Sequence, residues 1–362
     1  MAQELKDWFN PAFLADLGES LSDACPGFDA PGFAARAARD LETQSLTQRM
    51  TATVQAARDH LPGEFRSAVE ILKRVAPAYR GQFAGMFMCE YVATYGQDDR
   101  DYALSALAEL TRSFSAEFAV RHFLKADFDH TIEVMAGWAA DPDPAVRRLA
   151  SEGSRPRLPW SFNLTRLIED PSPVRPILDR LCRDPDASVR KSVANHLNDI
   201  SKDHSGLMLD WVSDWDLSDE RSAWIAKHAA RSLIKRGDPR AFALFGFEAA
   251  PDVTIEDFEI RPGSVAVGED VTVSFALVSG SDRDQKLAID YAVDYVKKSG
   301  KTRPKVFKLK ELVLGPGERR ALTQRHSFVD RTIRTHHAGD HRFALVVNGR
   351  TMAEGTVRLV RV

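Results

Sequence analysis

Three acids and one indole stand where side chains could do chemistry. They are Glu117 in SAEFAVRHFL, Glu152 just before Gly153, Asp199 in NHLNDI, and Trp160 at the end of SRPRLPW. Carboxylates held beside a reacting centre stabilise developing positive charge, and one of them can orient water. An indole face attracts a cation by roughly 0.5–2 kcal/mol. Taken singly, an acid at a helix end is solvated surface about four times in five, because acids are seldom buried. A lone Trp is more often core than ligand. Spacing does not show that the four converge, so the question passes to the cations around them and the elements that carry them.

The cations fall into three groups. Arg147 with Arg148, and Arg190 with Lys191, follow two similar Asp-Pro-Asp turns. Arg147 and Arg190 read as a structural ladder pairing with acids of neighbouring repeats, which leaves Arg148 and Lys191 as candidates for phosphate contact. Arg155 and Arg157 lie in a loop, SRPRLP, that no repeat requires, and Lys202 follows Asp199; these three join the candidates. The third group is the stretch KKSGKTRPKVFKLK, which carries Lys297, Lys298, Lys301, Arg303 and Lys305 and no acid. A Gly- and Pro-containing basic loop suits phosphate contact through counterion release. A strand edge kept from aggregating by its charges looks the same in sequence.

The elements that position these residues are legible as a repeat. DPDPAVRRLASEG from Asp141 and DPDASVRKSVANHLNDI from Asp184 match with an offset of 43 residues, Val146 onto Val189. That is the period of a HEAT-like helical pair, which buries its apolar face only by stacking on neighbours into a solenoid with a long concave surface. Helical periodicity runs from Leu5 to Phe247. The pattern predicts helices over 115–124 with Ser115 as N-cap, over 160–168 with Pro159 in the first turn, over 173–183, and over 220–236. From about Ala250 the pattern alternates, and Pro/Gly/Asp turns separate seven short segments. The expected architecture is an α solenoid of HEAT-like repeats over residues 1–250 and an all-β immunoglobulin-like sandwich over 251–362. His336 and His337 fall in a turn of the sandwich, where a surface position is expected.

Composition narrows the function. The net charge of −3 over 362 residues does not announce a polyanion partner. The parts differ, with 19 Lys+Arg against 15 Asp+Glu in residues 251–362 and 30 against 37 in residues 1–250. Three separated cysteines, Cys25, Cys89 and Cys182, fit a reducing compartment and lack metal-ligand spacing. No apolar run nears a membrane span, and the amino terminus does not read as a signal peptide. A cytoplasmic protein with no metal site is expected. No phosphate-binding Gly loop, zinc motif or nucleophile elbow occurs.

LKDWFN, SAEFAVRHFL, SEGSRPRLPW and SVRKSVANHLNDISKDH closely resemble the AlkC branch of the AlkC/AlkD family of DNA glycosylases, and the segment after Ala250 resembles the immunoglobulin-like extension of the larger AlkC type. The resemblance covers nearly the whole chain. It implies hydrolysis of the N-glycosidic bond of cationic alkylated bases, such as 3-methyladenine and 3-methylcytosine, in duplex DNA. It also implies a bacterial, nucleoid-associated monomer without a cofactor. The family's catalytic pattern falls on Glu117, Glu152, Asp199 and Trp160. Two other functions fit a helical solenoid: a non-enzymatic scaffold for peptides, and a DNA-binding protein that senses alkylation without cutting.

Overall fold

The computed structural model describes residues 4–248, 250–330 and 335–361. It divides into two compact units, Met1–Ala229 and Ala230–Val362.

Fourteen of the sixteen α-helices among the described residues belong to the first unit. One layer contains α3 (Leu46–His60), α5 (Phe87–Tyr95), α7 (Val120–Ala126), α9 (Pro144–Gly153), α12 (Ala187–Ile200) and α14 (Glu220–Ala229). The other contains α1 (Pro11–Ala24), α4 (Phe65–Val75), α6 (Arg100–Leu110), α8 (Phe128–Trp138) and α11 (Arg175–Leu181). Helix α2 (Ala30–Ala37) joins α1 to α3, α10 (Thr165–Glu169) follows the Arg loop, and α13 (Ser205–Ser213) packs on α12.

The matched turns explain why α9 and α12 stack. Asp143 caps α9 by accepting from the Ala145 amide, and Asp186 caps α12 by accepting from Ser188 and Val189. Val146 and Val189 are fully buried. Arg147 grips the Asp184 carboxylate through Nε at 2.6 Å and Nη2 at 3.0 Å, and its Nη1 donates to the carbonyls of Asp141 and Pro142. Arg190 repeats the second half of this, donating to the carbonyls of Asp184 and Pro185. Arg147 therefore pairs with the next repeat's acid, while Arg190 holds its own turn.

Several local expectations differ from the structure. Residues 160–163 are not helical, and α10 begins only at Thr165. Two X-Pro steps, Arg155-Pro156 and Leu158-Pro159, disfavour helical backbone before them, and the Leu164 amide closes the loop onto the Pro156 carbonyl. Ser115 caps no helix, because its hydroxyl donates to Glu117 and α7 starts at Val120. The helix expected over 220–236 breaks at Ala230 into α14 and α15 (Arg231–Lys235).

The second unit begins before the change in periodicity. Phe242 of α16 (Pro239–Leu244) and Phe247 pack on Ala288 of the sheet, so both short helices travel with the strands. A three-stranded sheet has the order β1 (Val253–Arg261), β3 (Asp270–Ser279), β6 (Arg319–Ser327). A five-stranded sheet has the order β2 (Ser264–Ala266), β8 (Arg350–Val360), β7 (Gly339–Val347), β4 (Gln285–Val296), β5 (Thr302–Leu314). Phe275 and Leu277 of the first sheet share one core with Ile289, Val293, Phe343 and Val357 of the second. Strand β2, three residues paired parallel to β8, is too short for an alternation signal. His336 is buried rather than exposed, because its ring packs against Tyr295 and Phe328.

Arg147→Met leaves the Asp184 carboxylate buried without its guanidinium, and stability is expected to fall by about 3–5 kcal/mol in urea unfolding. Arg166→Met, which breaks an exposed pair with Asp129, is expected to cost less than about 1 kcal/mol.

Candidate active site

Glu152 ends α9 and Asp199 ends α12, each one residue before the helix stops. Asp199 lies one turn beyond Asn195, the repeat equivalent of Glu152, and so keeps the same helix face. A negative charge at a helix C-terminus is opposed by the helix dipole. Both side chains are also more than nine-tenths buried. Arg155 answers both problems. Its Nη1 meets Glu152 Oε1 at 2.6 Å, and its Nε and Nη2 each meet Asp199 Oδ2 at 2.8 Å. Burial pulls the Arg155 guanidinium down, but the two carboxylates outweigh it and hold it above its ordinary value.

The network extends on both sides. Lys202 Nζ binds the other Asp199 oxygen at 2.7 Å. Arg148 Nη2 binds Glu117 Oε2 at 2.9 Å and lies 3.9 Å from Glu152. Ser115 donates to that same Glu117 oxygen at 2.6 Å and accepts from Arg148. The order is Glu117, Arg148, Glu152, Arg155, Asp199, Lys202, so the three expected acids belong to one chain of ion pairs.

Trp160 belongs to the loop that leaves α9. Arg121, fully buried on α7, holds this loop by donating to the carbonyls of Gly153 (3.0 Å), Arg155 (2.6 Å) and Phe162 (2.5 Å). Burial, reinforced by the Arg155 charge, pushes the Arg121 guanidinium down to about 10. The end of α9 approaches α7 so closely that a Cβ on Gly153 would lie 2.5 Å from Val120 Cγ1. Trp160 is held at φ +66° and is 80% exposed. A left-handed backbone at a bulky residue is costly and persists only where the surroundings impose it. Here the imposed conformation keeps an indole out of the core.

Of the cations expected to touch phosphate, Arg155 is directed at carboxylates and is only 7% exposed. Arg157 pairs with Asp203 at 2.9 Å. Arg148 and Lys202 are part of the network but retain exposure, and Lys191 is exposed on α12. Lys297, Lys298, Lys301, Arg303 and Lys305 are all exposed on the hairpin between β4 and β5, the latter an edge strand. Arg121 carries no sequence signal. Its segment, AVRHF, has a periodic helical pattern in which an Arg passes as surface. No group of three metal-ligating side chains occurs among the described residues, and no helix among them is long and apolar enough to cross a membrane.

A stacked helical unit with clustered acids, followed by a two-sheet domain, places the chain among helical-repeat proteins with an appended β domain. Residues 111–233 match the family described as "DNA alkylation repair enzyme", and residues 254–361 match "Uncharacterised protein YhaZ, C-terminal Ig-like domain". The alkylpurine DNA glycosylase AlkC of Pseudomonas fluorescens, bound to DNA containing an abasic site analog, superposes with a TM-score of 0.94 at 41% identity, covering 99% of this chain and 100% of that one. The uncharacterized protein YhaZ of Bacillus subtilis is 38% identical over 96% of both chains. The chain belongs to the AlkC branch of the AlkC/AlkD family of HEAT-like-repeat alkylpurine DNA glycosylases, with the immunoglobulin-like C-terminal domain.

His196 of α12 is fully buried behind this site, with Nδ1 2.9 Å from the Ser151 carbonyl. Burial, helped by Arg155, pushes it from 6.5 down to about 3. The unfolded chain protonates near pH 6.5 while the folded one resists until about pH 3, so stability falls as pH drops through that window. Between pH 6.5 and 5 the loss is expected to reach about 2 kcal/mol. His196→Gln, whose amide can still donate to Ser151, is expected to lack this share of the slope when the two proteins are unfolded in urea at each pH.

Proposed function

We propose that the protein is a monofunctional DNA glycosylase that hydrolyses the N-glycosidic bond of cationic alkylated bases in duplex DNA, 3-methyladenine and 3-methylcytosine among them. The observation that carries this reading is the gathering of Glu117, Glu152 and Asp199 into one ion-pair chain, with an exposed Trp160 on the loop that leaves α9 and carries Arg155. The DNA complex of the Pseudomonas relative supports DNA as the partner.

The chemistry requires little more. An alkylated base already carries the charge that makes it a good leaving group, so a general acid is unnecessary. As the C1′–N bond breaks, its electron pair returns to the base and positive charge develops on the sugar. Glu152 and Asp199 are preorganised to stabilise that charge, and one of the acids orients the water that attacks C1′. Arg155 is a positioning residue, fixing both carboxylates without touching substrate. Neutral bases leave poorly from such a site, and selectivity for charged lesions follows from the chemistry. Arg148, Lys191, Lys202 and the basic hairpin supply phosphate contacts.

Glu152→Gln and Asp199→Asn are each expected to slow single-turnover release of 3-methyladenine from methylated duplex by about 10²–10³ while duplex binding persists. Binding by the folded wild-type protein without any release would leave an alkylation sensor, and no duplex binding would leave a scaffold. Neutralising Lys301, Arg303 and Lys305 together is expected to weaken duplex binding and to reduce the log–log salt slope by about 3, roughly 0.9 for each phosphate that these side chains no longer neutralise.

A further inference from the structure

Helix α14 repeats the register of α12. Val189, Ser192, Val193 and His196 are buried, and so are Ser222, Ile225, Ala226 and Ala229, each 33 residues further on. The caps recur with them. Asp186 accepts from the amides of Ser188 and Val189, and Asp219 accepts from those of Arg221 and Ser222. Helix α14 packs on α12 as α12 packs on α9, so equivalent positions form rows along one face of the layer.

One row is Arg148, Lys191, Trp224, and the next is Glu152, Asn195, His228. The first holds cations, and the second begins at an acid of the candidate site. In α14 an indole stands where the two earlier helices have a cation. It does not turn into the core, since Trp224 is 45% exposed. The His228 ring, one helical turn on, lies parallel to it, with 6° between the planes and 5.0 Å between centroids. A single exposed aromatic is ordinary on a protein surface. This one is held flat by a stacked neighbour and belongs to a row that starts beside the acid network.

A large ring already fixed in place loses little freedom when a ligand covers it. The row indicates which ligand. Arg148 and Lys191 suit phosphate, and whatever passes over them passes over Trp224 one helix later. A nucleic-acid strand offers a phosphate and an apolar sugar face at every nucleotide. The bases of a duplex are stacked inside, so the apolar surface within reach is the C–H face of a deoxyribose. We infer that Trp224, braced by His228, is a docking platform for the deoxyribose backbone of the duplex arm beyond the lesion. This rests on the glycosylase reading and adds to that site a contact outside its acid network. Packed helices lie about 8–10 Å apart and B-DNA rises about 3.4 Å per base pair, so a strand following the row meets Trp224 roughly three base pairs beyond Lys191.

The test uses the full chain and three duplexes with a stable abasic-site analog. The analog lies at the centre, or about two base pairs from one end or from the other, which leaves an arm too short to reach the platform. Trp224→Ala is expected to bind the central duplex about tenfold more weakly. The log–log salt slope is expected to stay the same, because no charge is removed. The loss is expected to persist on one end-placed duplex and to vanish on the other, which lacks the arm that the platform holds. Trp224→Arg restores the cation of the row and is expected to regain affinity while steepening the slope by about 0.9. Both variants change an exposed position and are expected to melt with the wild type. Trp224→Phe, which keeps a ring, is expected to retain most of the affinity. Wild-type affinity in Trp224→Ala, or an equal loss on all three duplexes, overturns the platform. Release of 3-methyladenine by a protein whose binding ignores Trp224 sinks the platform alone. Trp224-dependent binding without release sinks the glycosylase reading and leaves the platform standing. No duplex binding by the folded wild type sinks both.

Discussion

Arg155 sits between Glu152 and Asp199, and the rest of the site depends on that placement. Two carboxylates at helix C-termini, removed from water, face both a desolvation cost and the negative end of each helix dipole. Ionised acids can persist there only if a cation is built in with them. The planar guanidinium suits the task because one side presents Nη1 to Glu152 while Nε and Nη2 meet Asp199. A lysine would supply the charge without the fork. The cost of burying Arg155 is in turn met by the two acids, so the three groups are stable together and unstable apart.

That arrangement dictates the loop around it. To bring Arg155 back over the end of α9, the chain must turn away from helix at once, and the carbonyls of Gly153, Arg155 and Phe162 lose helical partners. Arg121 supplies donors to all three. One buried arginine thus fixes the backbone on which another stands. The same turn forces Trp160 into a left-handed conformation and outward. The exposed indole and the buried acids are consequences of a single loop geometry.

Much of this fold can be read from residue patterns, and the exceptions have physical causes. The 43-residue offset, the Asp-Pro-Asp caps and the buried Val146 and Val189 are local and repetitive, so composition and spacing reveal them. The break at 160–163 is hidden because a proline reads as a helix start, while the two pre-proline steps and the pull of Arg121 act against it. Ser115 reads as a cap, but its hydroxyl goes to an acid two residues on. The four candidate residues are recognisable as types, whereas their convergence depends on Arg121, Arg148 and Arg155, whose partners lie as far as 44 residues away.

Net charge is a poor guide to what such a unit binds. Residues 1–250 carry more acids than bases, which taken alone disfavours a polyanion partner. Many of those acids are cancelled where they stand: Asp99 by Arg66, Asp129 by Arg166, Asp214 by Arg175 and Asp216 by Arg183, each an exposed or half-exposed pair. Fields from exposed charges fade over about 10 Å at 0.1 M salt, so acids further away than that hardly oppose a phosphate beside Lys191 or Lys202. What matters is the balance within one screening length of the site. There, three carboxylates answer to Arg148, Arg155 and Lys202, with Arg121 buried behind them. A locally balanced network can hold acids at a reacting centre while an anionic group on either side still meets positive charge. A site made of carboxylates alone would repel any polyanion brought to it.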